Sequence, residues 1–136
     1  MLGVKPYISF AGNCQEAIDF YKNSLGATEL FSQKWGETPH TVPGFEDKIM
    51  HASFRVGESM IMASDGCGED NNFHGFSLSI TVPTEAEAQR VFEALSESGT
   101  VKMPLMKTFW APCFGMLEDR FGLGWMVSVV HKEEGK

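Results

Sequence analysis

Residues 6–26 read Pro6-Tyr7-Ile8-Ser9-Phe10-Ala11-Gly12-Asn13-Cys14-Gln15-Glu16-Ala17-Ile18-Asp19-Phe20-Tyr21-Lys22-Asn23-Ser24-Leu25-Gly26, a strand, a turn and a helix in one short run. The segment Tyr7–Ala11 has the alternation of a strand. Asn13 is a strong N-cap residue, and Glu16 stands three places on, the spacing of a capping box. Ala17, Phe20, Tyr21 and Leu25 recur at helical spacing, and Gly26 sits where a helix ends. A helix is therefore expected from about Asn13 to Ser24.

The same unit occurs again. Thr84 stands 71 residues after Asn13, with Glu87 completing its box and Ala88, Val91, Phe92 and Leu95 forming the stripe. This helix is expected from about Thr84 to Ser98, ended by Gly99. The strand Phe76–Val82 precedes it. Three strand-like runs follow each helix: Thr28–Trp35, Ile49–Val56 and Ser59–Asp65, then Val101–Phe109, Cys113–Glu118 and Gly124–His131. Arg55-x-Gly57 and Arg120-x-Gly122 read as a repeated hairpin. The chain is thus read as α+β, a single domain over 1–136 with internal βαβββ modules at about 5–65 and 74–131. The modules are too small to stand alone and are expected to pair around a shared core. The linker is Gly66–Asn72, and the long loop Gly36–Lys48 is read as a lid or a dimer arm.

Composition limits the function. The chain has 136 residues, 43% hydrophobic and 21% charged, which is globular rather than disordered. Eighteen acidic against eleven basic residues give a net charge of −7, which argues against nucleic acid and anionic membrane surfaces as partners. No stretch approaches the length of an apolar membrane span, and the first residues lack the apolar core of a secretion signal. Three cysteines without a Cys-x-x-Cys pair argue against a disulfide framework or thiolate zinc site, so a cytoplasmic location is expected.

The opening run through Ala17, then Phe20-Tyr21 and Leu25-Gly26, resembles the vicinal oxygen chelate superfamily, which includes glyoxalase I, bleomycin resistance proteins and extradiol dioxygenases. Met50-His51-Ala52, Met62-Ala63-Ser64-Asp65 and Asp119-Arg120-Phe121-Gly122-Leu123-Gly124-Trp125 resemble its PhnB-like branch. The resemblance implies modules curling into a half-open barrel around a concave cup, and a homodimer. It also brings a demethylubiquinone-methyltransferase label. An adenosyl cofactor usually needs a glycine-rich turn after a parallel strand, which this sequence lacks.

Catalytic members of the superfamily hold a divalent cation through His, Gln or Glu on the first and last strands of each module. Carried over by the 71-residue offset and the glycine hairpins, those positions fall on Pro6, Ile61, Ser77 and Met126. None supplies a hard donor suited to that ion, nor do the adjacent residues. No metal site and no cofactor are therefore predicted.

Strand parity through Ser77 assigns Ser79 and Thr81 to the cup, with Ile8, Phe10, Met126 and Ser128. His51, Ser53 and Arg55 share the polar face of their strand. The expected ligand-binding set is Ile8, Phe10, His51, Ser53, Ser77, Ser79, Met126 and Ser128, an apolar lining with hydroxyls and one imidazole. It suits a small organic molecule, with an anionic end for Arg55.

Each chemical reading has a structural counterpart. His51 reads as a general base or as a hydrogen-bonded strand residue. Arg55 reads as a carboxylate clamp or a turn brace. Cys113 reads as inert and buried, and Cys14 as an exposed thiol in a helix's first turn. Trp110 is a ring that could line the pocket, while Trp125 is assigned to the core or a dimer seam. Two functions are carried forward. One is a metal-free small-molecule-binding protein. The other is an enzyme of lyase, isomerase or dioxygenase type, with His51 as base or a non-standard divalent site. A metal set of His51, His74 and Glu118 ranks last, because His74 and Ser77 are expected on opposite faces of one strand.

Overall fold

The computed structural model describes residues 1–40, 43–66 and 72–130. It divides into two compact units, Met1–Asn71 and Asn72–Lys136. Cys67 and most of the expected linker, and His131, lie outside the described residues.

The first unit runs β1 (Tyr7–Phe10), α1 (Cys14–Leu25), β2 (Thr28–Lys34), a short 3-10 turn (Trp35–Glu37), β3 (Ile49–Val56) and β4 (Ser59–Asp65). Its sheet has the order β1-β4-β3-β2, with β1 parallel to β4 and the other pairs antiparallel. The second unit runs β5 (Leu78–Val82), α2 (Glu85–Ser96), β6 (Thr100–Met106), β7 (Phe114–Glu118) and β8 (Gly124–Val129). Its order is β5-β8-β7-β6, with β5 parallel to β8. The fold is α+β, built from two βαβββ modules as the sequence pattern predicts, and each four-stranded sheet is open.

Each helix covers one face of its own sheet. In α1 the buried residues include Cys14, Ala17, Ile18 and Tyr21, the i, i+3, i+4, i+7 stripe of an amphipathic helix. Tyr21 stacks on Phe54 of β3 with ring centroids 5.9 Å apart. In α2 the expected four, Ala88, Val91, Phe92 and Leu95, are all buried. They approach β7 at Gly115, where an added Cβ would lie 2.7 Å from the Phe92 ring. Bare backbone there lets the ring lie against the sheet.

The caps differ from one another. Thr84 Oγ1 accepts from Glu87 N at 3.1 Å, as its spacing implies. Asn13 makes no side-chain cap bond, so the expected box on α1 is not the device used. Asp65, at the end of β4, takes its place. Its Oδ1 accepts from Gly12 N and Cys14 N, and its Oδ2 accepts from Ile49 N, each at 2.9 Å. One buried carboxylate thus joins the end of β4 to the starts of α1 and β3. An anion at a helix N-terminus is favourable both as acceptor and against the helix dipole.

The second unit has its own buried carboxylate, Asp119, in the β7–β8 connection. It accepts from Phe121 N at 2.9 Å, Leu123 N at 3.1 Å and Trp125 Nε1 at 2.9 Å. This corrects the repeated-hairpin reading: Arg120 lies in this connection, whereas Arg55 lies within β3, paired with Met60. Trp125 is a core residue, 2% exposed.

Asp65→Ala would leave three backbone donors without their carboxylate. It is expected to lower unfolding free energy by about 3 kcal/mol, read from the urea midpoint, with Asp19→Ala on the exposed face of α1 nearly neutral. A loss under about 1 kcal/mol for Asp65→Ala would contradict this role.

Candidate functional site

In each unit the helix leaves the opposite sheet face uncovered by that helix. Register fixes which residues lie there. In the first unit Tyr7 pairs with Met62, and Met62 with Ser53, all on the open face. Ile8 pairs with Ala63, and Ala63 with Ala52, all on the helix-covered face. Ile8 and Phe10 are 4% and 2% exposed. This corrects their expected place on the cup face: they are core residues. Ser53 lies on the open face as expected, with His51 and Arg55 at the same parity.

The error has a definite origin. Register matches Tyr7–Met62 in the first unit with Ser79–Met126 in the second. The strand offset is therefore 72, one more than between the helix caps, because the β1–α1 turn is one residue longer than its counterpart. Carrying 71 through the strands reverses every face in β1. Ile61 is misplaced in the same way: it is buried on the helix face, and Met62 is the partner of Met126 in the repeat.

In the second unit Ser79, Met126, Met116 and Met103 form one row across the open face, and Thr81, Ser128 and Phe114 the next. The expected positions of Ser79, Met126 and Ser128 agree with this register. A cavity of about 530 Å³ opens there, lined in part by Phe73, Phe76, Met116 and Met126. Its polar lining comes from His74, Ser77, Lys102 and Glu118. Lys102 Nζ lies 3.6 Å from Glu118 Oε2. His74 and Ser77 line this cavity together, contrary to the parity expectation. The strand begins only at Leu78, and Gly75 has φ 83°, which breaks the alternation before it. Trp110 is not part of this lining; its ring stacks edge-on with Phe109 and Phe114 at 4.7 Å and 5.4 Å.

The first unit contributes an aromatic group around His51. Tyr7 Oη and His51 Nδ1 are 3.3 Å apart, and the tautomer decides which one donates. The Tyr7 and Phe31 rings lie 5.7 Å and 6.0 Å from the imidazole. Gln33 is the register partner of His51 on β2. Sequence reasoning missed Tyr7 and Phe31: the one-residue slip hid Tyr7, and a register shift between Glu29 and Phe31 hid the other.

The strand positions that would grip a divalent cation do not fit one. At Tyr7, Met62, Ser77 or Ser79, and Met126, the available donors are phenol, thioether and neutral hydroxyl, not carboxylate or imidazole. Among the described residues no three His, Cys, Asp or Glu side chains come together.

Among the described residues both cysteines, Cys14 and Cys113, are buried. Cys14 is fully buried, which corrects its expected exposure. Burial first, then the charges of Asp65 and Glu29, push its thiol up from 9.0 to about 12. Burial, and then Glu85, also raise Cys113.

A pair of βαβββ modules with helix-backed open sheets defines the vicinal oxygen chelate fold. FosX from Listeria monocytogenes, a fosfomycin resistance protein solved with Mn(II) and a dihydroxypropylphosphonic acid, shares this fold at TM-score 0.68 and 12% identity, over 99% of this chain and 98% of that one. The family model described as 3-demethylubiquinone-9 3-methyltransferase matches residues 3–128, and the chain belongs to that PhnB-like family. Protein YjdN of Escherichia coli is 36% identical, over 96% of this chain and 97% of its own. The crystal structure of protein PA1353 from Pseudomonas aeruginosa superimposes at TM-score 0.87 with 44% identity, covering 95% and 98% of the two chains. The PhnB protein from Bacillus cereus does so at 0.80 with 27% identity, covering 93% and 98%. Among the described residues no helix is long and apolar enough to cross a membrane.

Cys14 is expected to resist thiol reagents at pH 8 until the protein is unfolded. Its raised value also makes stability fall as pH climbs from 9.0 towards 12, because the unfolded thiol ionises first. Rapid labelling of native Cys14 at pH 8, by peptide mapping, would contradict its burial.

Proposed function

We propose that the chain binds a small organic molecule without the divalent cation used by catalytic members of its superfamily. The observation that supports this reading is the cavity of about 530 Å³ on the second unit's open face, within the usual size range of small-molecule sites. Its apolar walls, Phe73, Phe76, Met116 and Met126, offer deformable contact surface. Ser77 offers a neutral hydrogen-bonding group, and the Lys102–Glu118 pair stands at the rim with side chains about half exposed. His74 and Glu118 are the lining groups able to take up a proton, and among the described residues no three His, Cys, Asp or Glu side chains come together to hold a cation. The working form in this reading is a homodimer, as the family resemblance implies, in the cytoplasm that the cysteine usage suggests, with Ser79, Ser128, Ser53 and His51 as further polar positions on the two open faces.

A second reading, an enzyme with His51 as base, is favoured by one observation. The contact with Tyr7 orients the imidazole, as a base needs. It requires Nδ1–H to donate to the phenol, leaving Nε2 bare.

A ligand found by thermal-shift screening, present at 100 times its dissociation constant, should add about 2.7 kcal/mol of stability. Met126→Trp, which fills the cavity, is expected to abolish that gain while leaving the unliganded protein folded. An undiminished gain in Met126→Trp would place the ligand elsewhere and overturn the reading.

A further inference from the structure

We propose that the second unit carries a site for a soft monovalent metal ion, of the Cu(I) class, held by the thioethers of Met103, Met116 and Met126. The site is independent of the organic-ligand reading of the cavity, and its failure would leave that reading standing. It also differs from the superfamily's divalent site, for which these three residues are the wrong donors.

Register sets the three thioethers in one row. Met103 of β6 pairs with Met116 of β7, and Met116 with Met126 of β8. Adjacent strands are about 4.8 Å apart, and paired side chains share a face. A bulge in β6 between Val101 and Met103 makes this possible. Val101 pairs with Leu117, which is buried on the helix face, and the extra residue turns Met103 to the other side. A methionine side chain has three rotatable bonds, so the outer sulfurs can lean towards the middle one without moving the backbone. All three residues are half-buried, and Met116 and Met126 line the cavity that gives an ion its way in.

Composition sets this row apart. A sheet face that only packs favours β-branched and aromatic side chains. The corresponding row of the first unit holds Tyr7, Met62, Ser53 and Phe31, with a single sulfur. The second unit has three sulfurs on three neighbouring strands, and the hydroxyl of Ser79 completes the row.

Donor chemistry selects the ion. Thioether sulfur is neutral and soft, which suits Cu(I), whereas Mg, Ca and Mn take oxygen donors. No carboxylate belongs to the row. Glu118 lines the cavity, but Lys102 Nζ lies 3.6 Å from its carboxylate and offsets its charge. His74 is the one imidazole of that lining, and one imidazole does not make a zinc site.

The probe is Ag(I), a redox-inert stand-in for Cu(I), in chloride-free buffer. It is added to the full chain labelled with 13C at the methionine methyls, with and without Cys67→Ser, which removes a competing thiol. In the Cys67→Ser chain one equivalent should bind, shifting the Met103, Met116 and Met126 methyls and leaving Met50 and Met62 in place. Cu(I) supplied anaerobically should displace it. Met116→Leu and Met126→Leu conserve volume and remove sulfur. Each should weaken Ag(I) by at least about ten-fold while the urea midpoint stays nearly unchanged. Zn(II) should bind far more weakly than Ag(I).

Four results would overturn the proposal. Binding that survives both leucine variants would place the ion elsewhere. Binding lost in Cys67→Ser would assign it to that thiol. Zn(II) bound as tightly as Ag(I) would put harder donors in charge. Shifts confined to the exposed Met60 and Met106 would reduce the binding to surface capture.

Discussion

The Asp65 carboxylate sits where three segments of chain meet. Its two oxygens accept backbone protons from the turn before α1, the first residue of α1 and the first residue of β3. Without them, a buried helix end would keep unsatisfied donors. With them, the helix start is fixed against two strands, and the helix face of the sheet is defined. The other face is then left uncovered by the helix. Asp119 serves the second unit differently, holding a connection and the indole of Trp125. Each unit thus invests its one deeply buried strand-end or turn carboxylate in architecture. In the first unit this keeps the strand carboxylates off the open face, whereas in the second Glu118 lines the cavity beside Lys102.

Much of the fold was legible because it rests on periodic signals. The β3 and β4 limits, Ile49–Val56 and Ser59–Asp65, agree with the expected runs, and all four apolar residues of the α2 stripe are buried. Hydrophobic spacing and glycine punctuation carry that information locally. The α1 cap was not legible. Asn13-x-x-Glu16 satisfies the local rule, but the acceptor that caps the helix comes from Asp65, some fifty residues away. Local spacing cannot register a partner supplied by the far strand.

The candidate site was legible in part for a related reason. A strand face is a parity, so a single-residue difference between the two turns inverts it. Ser79, Met126 and Ser128 were placed correctly because parity was counted within their own module. Ile8 and Phe10 were misplaced because it was carried from one module to the other. His74 failed for another reason: alternation was extended through Gly75, which is not strand. The aromatic neighbours of His51 depend on strand register, which sequence pattern does not specify.

This member of the PhnB-like family keeps the superfamily's scaffold, and the proposed mode of binding uses rings, thioethers and hydroxyls at the strand positions where the family resemblance implies metal donors. The most direct test is elemental analysis of protein purified without chelator and then dialysed. Less than roughly one tenth of an equivalent of Zn, Ni, Mn or Fe per chain is expected. Close to one equivalent of any of them, retained through dialysis and lost on Met126→Trp, would contradict it.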